Sequence, residues 1–467
     1  MSAAEVRTPT QQDLHEILES VRLETRVPGL GAAVSVGGTQ VLAYAGQPAP
    51  GLKQTFSERS RFEMSCLMKL FMSLTVLELN GEGVLDIAAP VQEYLPEFPR
   101  VGRSAQKLCV HHLMNHTGGY RGVDISTSQV RWNYSWERFL EHCATPGRHF
   151  TPGSVFNYEH SEHVILGEIV RRICGPGSRV QERVFEPLNI HPSCVRSDWE
   201  QGEPYVGQHT YSATRASFES VSLPGFGPFW SASLPDATLT LKEMLTVGEA
   251  LLEDRQSGRN SGIFSKSTRA SLRSAGQMLP VQVAAGVRSE QMPMSFGLGF
   301  GHYRGGVLGH NGSMFGQTCT LRIDPSREVA IAVGVNAWVP YARDSVVSRT
   351  LTLIAGVGDT VDPSPAALDK APFRLEQLIN GFSLQEIAGR YVGSYCGEVH
   401  VSHNDGAVHF DLGAAGRKQT RISALADAPG YYRIDSPVPV LAAFFGDPDE
   451  SRTPALMMGL HAYKKSS

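Results

Sequence analysis

The stretch Phe62–Phe71 reads FEMSCLMKLF and places Cys66 three residues before Lys69. Apolar residues continue at helical spacing, so the stretch predicts a helix over 65–79 that ends at 80–83. A thiol and an amine at i and i+3 share one face of such a helix. The buried stripe of the helix is predicted to consist of Leu67, Leu70, Phe71, Leu74 and Leu77.

The position of the cysteine within this helix favours its ionised form. Cys66 falls in the first turn, where unpaired backbone N–H groups and the helix dipole favour a developing anion. That field and the amine of Lys69 should both lower the pKa of the thiol and enrich the reactive thiolate. The spacing therefore predicts an activated cysteine nucleophile.

Strand signals lie near both ends of the region that surrounds this helix. Residues 30–36 and 40–45 read as two strands joined at the turn pair Gly37-Gly38, and strand character returns over 317–323 and 329–335, across a turn at 324–327. Between about 90 and 290 the pattern is mostly helices and long loops. We therefore expect an α+β fold, in which one antiparallel sheet is built from both ends of the region and carries an inserted helical subdomain.

A change in composition marks the C-terminal part of the chain. Residues 358–372 are rich in Pro, Asp and Ala, which is typical of a linker, and alternating runs separated by Gly- and Asp-rich turns follow. We predict a first domain over 1–357, a linker over 358–380 and a small antiparallel β domain over 381–467. A chain of 467 residues is also too long for one compact core.

Composition and charge argue against several classes of protein. A net charge of -4 and the lack of a basic stripe give nucleic-acid binding no support, and no apolar run reaches the length of a membrane span. Residues 1–12 lack the pattern of a secretory signal, and the 7 cysteines form no close pairs. We expect a cytoplasmic protein with reduced thiols, no metal and no cofactor; its oligomeric state stays open.

Two further motifs give the cysteine a family context. Residues Pro152–His160 read PGSVFNYEH, and His310–Gly312 read HNG ahead of a strand. With the Cys-x-x-Lys pair they resemble the Ser-x-x-Lys, Tyr-x-Asn and His-x-Gly motifs of the penicillin-recognising serine hydrolases, in the form of class C β-lactamases, esterases and D-aminopeptidases. Cys66 stands at the position of the nucleophilic serine. Ser65 does not fit, because it would need a lysine in place of Met68.

The second motif implies residues for proton transfer. By this resemblance Tyr158 would share proton transfer with Lys69. His160 replaces an asparagine that generally contacts the lysine and the substrate amide. A histidine can still donate a hydrogen bond, and its ordinary pKa of about 6.5 also suits a base near neutral pH.

The third motif implies residues for substrate binding. By the same resemblance the backbone N–H groups of Cys66 and Ser313 would form the oxyanion hole, and His310 would face the substrate. Gly312 would let the substrate lie close to the strand. The likeness covers about residues 10–355 and implies a β-lactamase-like antiparallel sheet flanked by helices. The part from about 386 resembles the lipocalin-like domain of some family esterases and D-aminopeptidases.

Other polar residues have simpler interpretations. His116 lies in a segment similar to the family's Leu-x-x-His-Thr-Ser-Gly and is interpreted as a structural hydrogen-bonding residue. The cluster His160, Glu162 and His163 could suggest a metal site, but two histidines at i and i+3 without a third obvious ligand are a weak signal. The remaining cysteines are interpreted as packing thiols.

Together the motifs predict an acyl-transfer enzyme that forms a thioester on Cys66. Thioesters react readily with amines and comparatively slowly with water, which favours a transacylase or amide-forming enzyme in small-molecule biosynthesis. The expected partners are a small-molecule or carrier-bound acyl donor and an amine or water acceptor. Aromatic residues over 120–136 and 205–230 hint at an apolar or aromatic acyl group.

Two alternatives stay open. The first is a hydrolase on the same scaffold: an esterase, a thioesterase or a D-amino-acid amidase. The second is a binding protein that has lost catalysis, since both the serine and the asparagine of the family motifs are replaced. A cysteine is a competent nucleophile, which argues against simple decay.

Overall fold

The structure is a computed structural model, in which runs of helices and runs of strands follow one another along the described residues. It describes residues 6–49, 53–99, 107–120, 123, 134–144, 150–175, 177, 179–192, 206–212, 217–220, 237–252, 262–274, 277–278, 293, 295–314, 316–355, 384–392, 398–404, 407–411, 420–424, 431–434, 440–446, 454–458 and 461–465. The α-helices are α1 (Gln11–Thr25), α2 (Met68–Gly81), α3 (Val91–Tyr94), α4 (Val110–Met114), α5 (Trp136–Cys143), α6 (Ser161–Cys174), α7 (Leu241–Leu252), α8 (Lys266–Leu272), α9 (Pro340–Ala355) and α10 (Leu384–Ile387).

Strands from both ends of the first region form one sheet. The strands up to residue 335 are β1 (Gly29–Val36), β2 (Thr39–Gly46), β3 (Arg61–Glu63), β4 (His209–Ser212), β5 (Ser217–Ser220), β6 (Thr238–Thr240), β7 (Gln277–Met278), β8 (Ser295–Phe296), β9 (Gly301–His302), β10 (Leu308–Met314), β11 (Gln317–Asp324) and β12 (Val329–Val335). The sheet order is β2-β1-β12-β11-β10-β9-β8-β7, and β1 pairs antiparallel with β12. The predicted α+β fold, with a sheet built from both ends, is confirmed.

Side-chain size alternates along the central strands and separates two layers of core. The larger side chains of β1 and β12, such as Val34 and Ile331, are buried in one cluster with residues of α1 and α9. Their smaller neighbours, such as Ala33 and Ala332, belong to a second cluster with residues of α2, α6 and α7. Because successive side chains of a strand point to opposite faces, this alternation leaves room for the helical layer that contains Cys66.

Two glycines in the sheet let the Phe62–Met64 segment lie against the strands. A Cβ on Gly334 of β12 would lie 2.5 Å from the ring of Phe62, and a Cβ on Gly312 of β10 would lie 2.2 Å from the carbonyl oxygen of Met64. Neither contact is tolerated by a real side chain. The glycines therefore fix the position of the segment that leads into Cys66.

The C-terminal strands form a separate closed sheet. Each strand pairs antiparallel with the next, and the first pairs with the last at Tyr391 and Lys465. The strands are β13 (Gly389–Val392), β14 (Glu398–Asn404), β15 (Ala407–Asp411), β16 (Thr420–Ala424), β17 (Tyr431–Ile434), β18 (Val440–Gly446), β19 (Pro454–Met458) and β20 (His461–Lys465). The strand character expected from about residue 386 is present, whereas the lipocalin-like assignment stays a prediction.

The linker over 358–380 falls outside the described residues. The proposed domain boundaries therefore stay predictions. As for membrane insertion, within the described ranges no helix combines the length and the apolar character that a bilayer crossing requires.

Candidate active site

Cys66 lies in a short 3₁₀ turn, Ser65–Leu67, that leads directly into α2. The helix predicted to start at residue 65 thus begins as a tighter turn, and its α-helical part runs from Met68 to Gly81. Ser65 has a φ of 46°, in the left-handed region that non-glycine residues rarely adopt. Its hydroxyl donates to the carbonyl of Ser313 at 2.9 Å. The turn therefore presents the thiol beside strand β10.

Lys69 contacts three groups of the predicted site. Its Nζ lies 3.3 Å from Cys66 Sγ and 2.9 Å from His160 Nδ1. It also lies 4.7 Å from the centre of the Tyr158 ring, within cation–π range. Lys69 is fully buried. A buried ammonium needs compensating partners, and these three groups provide them.

The environment of Cys66 favours the thiolate. Burial opposes ionisation of the thiol, but the positive charge of Lys69 and hydrogen bonds from His160 and Tyr158 outweigh it, so the pKa of Cys66 lies well below its usual range. The residue as a whole is partly exposed. A low-pKa thiolate with access from outside is the state that a cysteine nucleophile requires.

His160 links the lysine to the sulfur as a neutral imidazole. Burial and the charge of Lys69 lower the pKa of His160. In the neutral form Nδ1 accepts from the Lys69 ammonium, because an ammonium can only donate. The ring proton then sits on Nε2, and the hydrogen bond between His160 and Cys66 helps to lower the pKa of the thiol. The histidine therefore fulfils the asparagine's predicted contact with the lysine.

Tyr158 stays protonated, and its ring packs against two other aromatic rings. Burial and the negative charge of Cys66 raise the pKa of Tyr158 well above its usual range, so its hydroxyl is a donor to the thiolate. The His116 ring lies against Tyr158 with ring centres 4.3 Å apart, and Phe296 makes an edge contact at 6.2 Å. These contacts fix the direction of the phenol.

His310 presents a free acceptor at the site. Its Nδ1 lies 2.8 Å from the carbonyl oxygen of Asn311, so Nδ1 carries the proton. Burial and the charge of Lys69 lower the pKa of His310 to about 3. The remaining nitrogen, Nε2, is buried and has no hydrogen-bond partner among the described residues. A buried acceptor of this kind is suited to a donor group on a substrate.

Ser313 is held by residues that the sequence did not single out. Arg343, in the first turn of α9, contacts the hydroxyls of Ser313 at 3.4 Å and Thr318 at 2.8 Å. Arg343 is itself held by Asp344 through two hydrogen bonds of 2.8 and 2.7 Å. This buried group anchors the end of β10 that faces Cys66. The contacts join residues far apart in the chain, so no local pattern could reveal them.

The residues whose spacing suggested a metal site, His160, Glu162 and His163, do not share one set of contacts. His160 contacts Lys69, whereas Glu162 contacts His116 Nδ1 at 2.5 Å and the Gly118 N–H at 2.9 Å. Among the described residues no group of three or more potential metal ligands converges. The structural interpretation of His116 agrees with its burial and with this contact.

Other predicted features are only partly described. Cys143 and Cys319 are buried, as expected of packing thiols, whereas Cys109 and Cys174 are partly exposed. Cys194 and Cys396 lie outside the described residues, as do most of the aromatic segments 120–136 and 205–230. Their predicted contribution to an acyl pocket stays untested.

The comparison with known proteins agrees with the family that the motifs resemble. The Beta-lactamase family model matches residues 10–355. Penicillin-binding protein 4 of Amycolatopsis lactamdurans is 26% identical over 332 residues, which is 69% of this chain and 84% of that protein.

Solved structures share the fold at low identity. SurE aligns over 98% of this chain and 99% of its own, with a TM-score of 0.71 and 21% identity, and a second SurE structure is described as holding D-Leu. The D-amino acid amidase of Ochrobactrum anthropi SV3 aligns over 73% of this chain and 98% of its own, with a TM-score of 0.59 and 17% identity. At these identities the likeness shows the fold.

Proposed function

Since the chain belongs to the β-lactamase family, whose relatives are acyl-transferring hydrolases, we propose that it is an acyltransferase with Cys66 as its nucleophile. In this proposal the enzyme forms a thioester on Cys66 and passes the acyl group to an amine. One observation carries it: Lys69 Nζ lies 3.3 Å from the sulfur of Cys66, a partly exposed residue whose thiol pKa is well below the usual range. A packing thiol would have the opposite shift, as buried Cys319 does.

The first half-reaction forms the acyl-enzyme. The thiolate of Cys66 attacks the carbonyl carbon of the donor, and the carbonyl oxygen takes up the negative charge. The backbone N–H groups of Cys66 and Ser313 are the proposed donors to this oxyanion. The bond to the leaving group then breaks. Tyr158, whose hydroxyl is protonated and directed at the sulfur, is the proposed proton donor to that group.

The second half-reaction transfers the acyl group. An amine attacks the thioester carbonyl carbon, the C–S bond breaks, and the thiolate of Cys66 is regenerated. The attacking amine must lose one proton, and the phenolate left at Tyr158 by the first half-reaction is the proposed base that takes it. The free Nε2 of His310 is the proposed hydrogen-bond acceptor that orients the amine N–H.

The nucleophile favours transfer over hydrolysis. Amines attack thioesters readily, and water attacks them comparatively slowly, so a cysteine in place of serine selects for an amine acceptor. A free thiol nucleophile also suits a reducing compartment, and a cytoplasmic role in small-molecule biosynthesis is part of the proposal. The related D-amino acid amidase and the SurE structure with D-Leu make D-aminoacyl groups the first donors to test.

The test compares an amine with water as acceptor for each of three acyl donors. The enzyme is incubated with the N-acetylcysteamine thioester of N-acetyl-D-phenylalanine, of its L-isomer, or of hexanoate, with and without an amine. We expect an adduct on Cys66 by intact mass and more amide than free acid when amine is present. Cys66→Ala should form neither adduct nor product. Full activity of Cys66→Ala would end the proposal.

The alternative functions predict other outcomes. A hydrolase is favoured by the amidase and esterase names among the relatives, such as Esterase EstB of Burkholderia gladioli. It would release free acid at the same rate with or without amine, and would turn over short-chain aryl esters without an acceptor. A binding protein that has lost catalysis would show no adduct, and its Cys66 would be alkylated no faster than ordinary thiols.

A further inference from the structure

The amine that activates the nucleophile is close enough to react with the acyl-enzyme. Lys69 Nζ lies 3.3 Å from Cys66 Sγ, and in a thioester the carbonyl carbon is bonded to that sulfur. Lys69 is fully buried, so bulk water does not separate the two groups. Groups held this close react as if at very high concentration. Because amines attack thioesters more readily than esters, cysteine makes this side reaction more serious than serine would.

We propose that Lys69 is a self-acylation site, which His160 restrains. The inference rests on the proposed function, since it needs the thioester on Cys66. In the step, the neutral amine of Lys69 attacks the thioester carbonyl carbon, the C–S bond breaks, and Cys66 leaves as a thiolate. The nitrogen gives up one proton, which the thiolate or solvent takes. The product is an amide on Lys69, which ends turnover because the lysine has lost its charge.

Acylation removes the negative charge that faces Lys69. In the free enzyme the thiolate lies 3.3 Å from the ammonium, whereas the sulfur of a thioester is neutral. The contacts that then hold the proton on Lys69 are the acceptor His160 Nδ1 at 2.9 Å and the face of the Tyr158 ring at 4.7 Å. An ammonium has no lone pair and cannot attack. The restraint therefore operates by keeping Lys69 protonated.

Other titratable groups around Lys69 do not replace the lost charge. Burial and the charge of Lys69 lower the pKa of His163 on α6 and of His310 on β10, so both are neutral near pH 7. Burial raises the pKa of Glu162 well above its usual range, which disfavours its carboxylate. We therefore assign the restraint to His160, the acceptor in direct contact with the amine.

The tryptic cleavage sites in the sequence allow acylation of Cys66 to be distinguished from acylation of Lys69. Trypsin cleaves after Arg61 and after Lys69, so a thioester on Cys66 is found in the peptide 62–69. An acyl group on Lys69 blocks cleavage there. Because no Lys or Arg lies between Lys69 and Arg100, the product is then the peptide 62–100. Hydroxylamine removes the acyl group from a thioester and leaves an amide intact.

The experiment loads the enzyme with the hexanoyl thioester of N-acetylcysteamine, without amine, from pH 6 to 9. We expect acylation of Lys69 in the wild type to rise with pH. His160→Ala should accelerate it by about tenfold, since a hydrogen bond to a charged group is lost. His160→Asn, which keeps an acceptor, should stay near the wild type. His160→Leu, of similar volume and without an acceptor, replaces the alanine variant if that variant fails to fold.

The outcomes separate this inference from the proposed function. If no variant forms the Cys66 adduct, the proposed function fails and the inference with it. A Cys66 adduct that never moves to Lys69, in the wild type and in His160→Ala up to pH 9, overturns the inference alone. Equal acylation of Lys69 in Cys66→Ala also overturns it, because the reagent would then reach the lysine without the thioester.

Discussion

The hydroxyl of Ser65 donates a 2.9 Å hydrogen bond to the carbonyl of Ser313, and this bond ties the turn before the nucleophile to strand β10. Ser65 adopts a φ of 46°. Such a conformation costs a non-glycine residue about 1–2 kcal/mol, so it persists only where its surroundings hold it. The bond to Ser313 is one of those restraints, and it joins Cys66 to its proposed oxyanion-binding strand.

Two substitutions at Ser65 distinguish the effect of its hydrogen bond to Ser313 from the effect of its left-handed backbone. Ser65→Ala removes the bond and keeps the unfavourable backbone, and we expect it to lower the free energy of unfolding by about 1–3 kcal/mol. Ser65→Gly removes both, so it should be less destabilising. Both should slow alkylation of Cys66 by iodoacetamide. Urea unfolding and alkylation rates measure these effects, and equal destabilisation by alanine and glycine would argue against backbone strain.

The charge of Lys69 should control the reactivity of Cys66. In the wild type the lowered pKa of Cys66 makes the alkylation rate fall at a lower pH than it does for an ordinary thiol. In Lys69→Met burial raises the pKa of the thiol unopposed by this charge, so the rate at pH 7 should drop at least about tenfold and recover at high pH. Lys242→Met, at an exposed lysine, is the control. Overlapping pH profiles for Lys69→Met and wild type would contradict the assignment.

Gly312 should be intolerant of any side chain. A Cβ at this position would lie 2.2 Å from the carbonyl oxygen of Met64, which cannot move without displacing the Cys66 turn. We expect Gly312→Ala to lower the free energy of unfolding by about 1–3 kcal/mol and kcat/KM by more than about tenfold. Gly81→Ala, whose nearest neighbour is a serine hydroxyl at 3.3 Å, is the matched control. A fully active Gly312→Ala would show that the turn adapts.

Local patterns in the sequence were enough to predict much of the fold. Strand β12 was predicted over 329–335 and runs over Val329–Val335, because its apolar residues and the turn before it are local signals. The spacing of Cys66 and Lys69 and the resemblance to the family's motifs also implied that these two residues meet Tyr158 and His160, and the structure brings the four side chains together. Their chemical roles remain proposals.

Features that depend on distant contacts could not be predicted. The left-handed backbone of Ser65 has no sequence signal, since it is held by Ser313, which lies 248 residues away. The contact of Arg343 with Thr318 joins a helix to a strand through folded geometry. The 3₁₀ turn was predicted as α-helix, because the two types share the i, i+3 spacing of Cys66 and Lys69.

Glu162 should make stability depend on pH in a defined direction. Burial, and after it the charge of Glu159, raises the pKa of Glu162 well above its usual range. Its contribution to stability is therefore full below the ordinary pKa of about 4.3 and is lost as the pH rises through the folded value. Glu162→Gln cannot titrate, and its amide can donate to His116 Nδ1. We expect the urea midpoint of the variant to increase relative to that of the wild type as the pH rises from 5 to 8. A gap that does not change with pH would contradict this.

His310 should act in the second half-reaction more than in the first. Its Nε2 is a buried acceptor without a partner among the described residues, and its pKa of about 3 keeps it neutral at working pH. An incoming amine N–H needs such a hydrogen-bond acceptor, whereas attack by the thiolate of Cys66 does not. His310→Phe should therefore form the acyl-enzyme within about threefold of the wild-type rate but slow aminolysis at least about tenfold, so that the adduct on Cys66 accumulates. His310→Gln, which keeps an acceptor, should be affected less. Intact mass spectra over time measure both steps, and equal slowing of the two would assign His310 to donor binding instead.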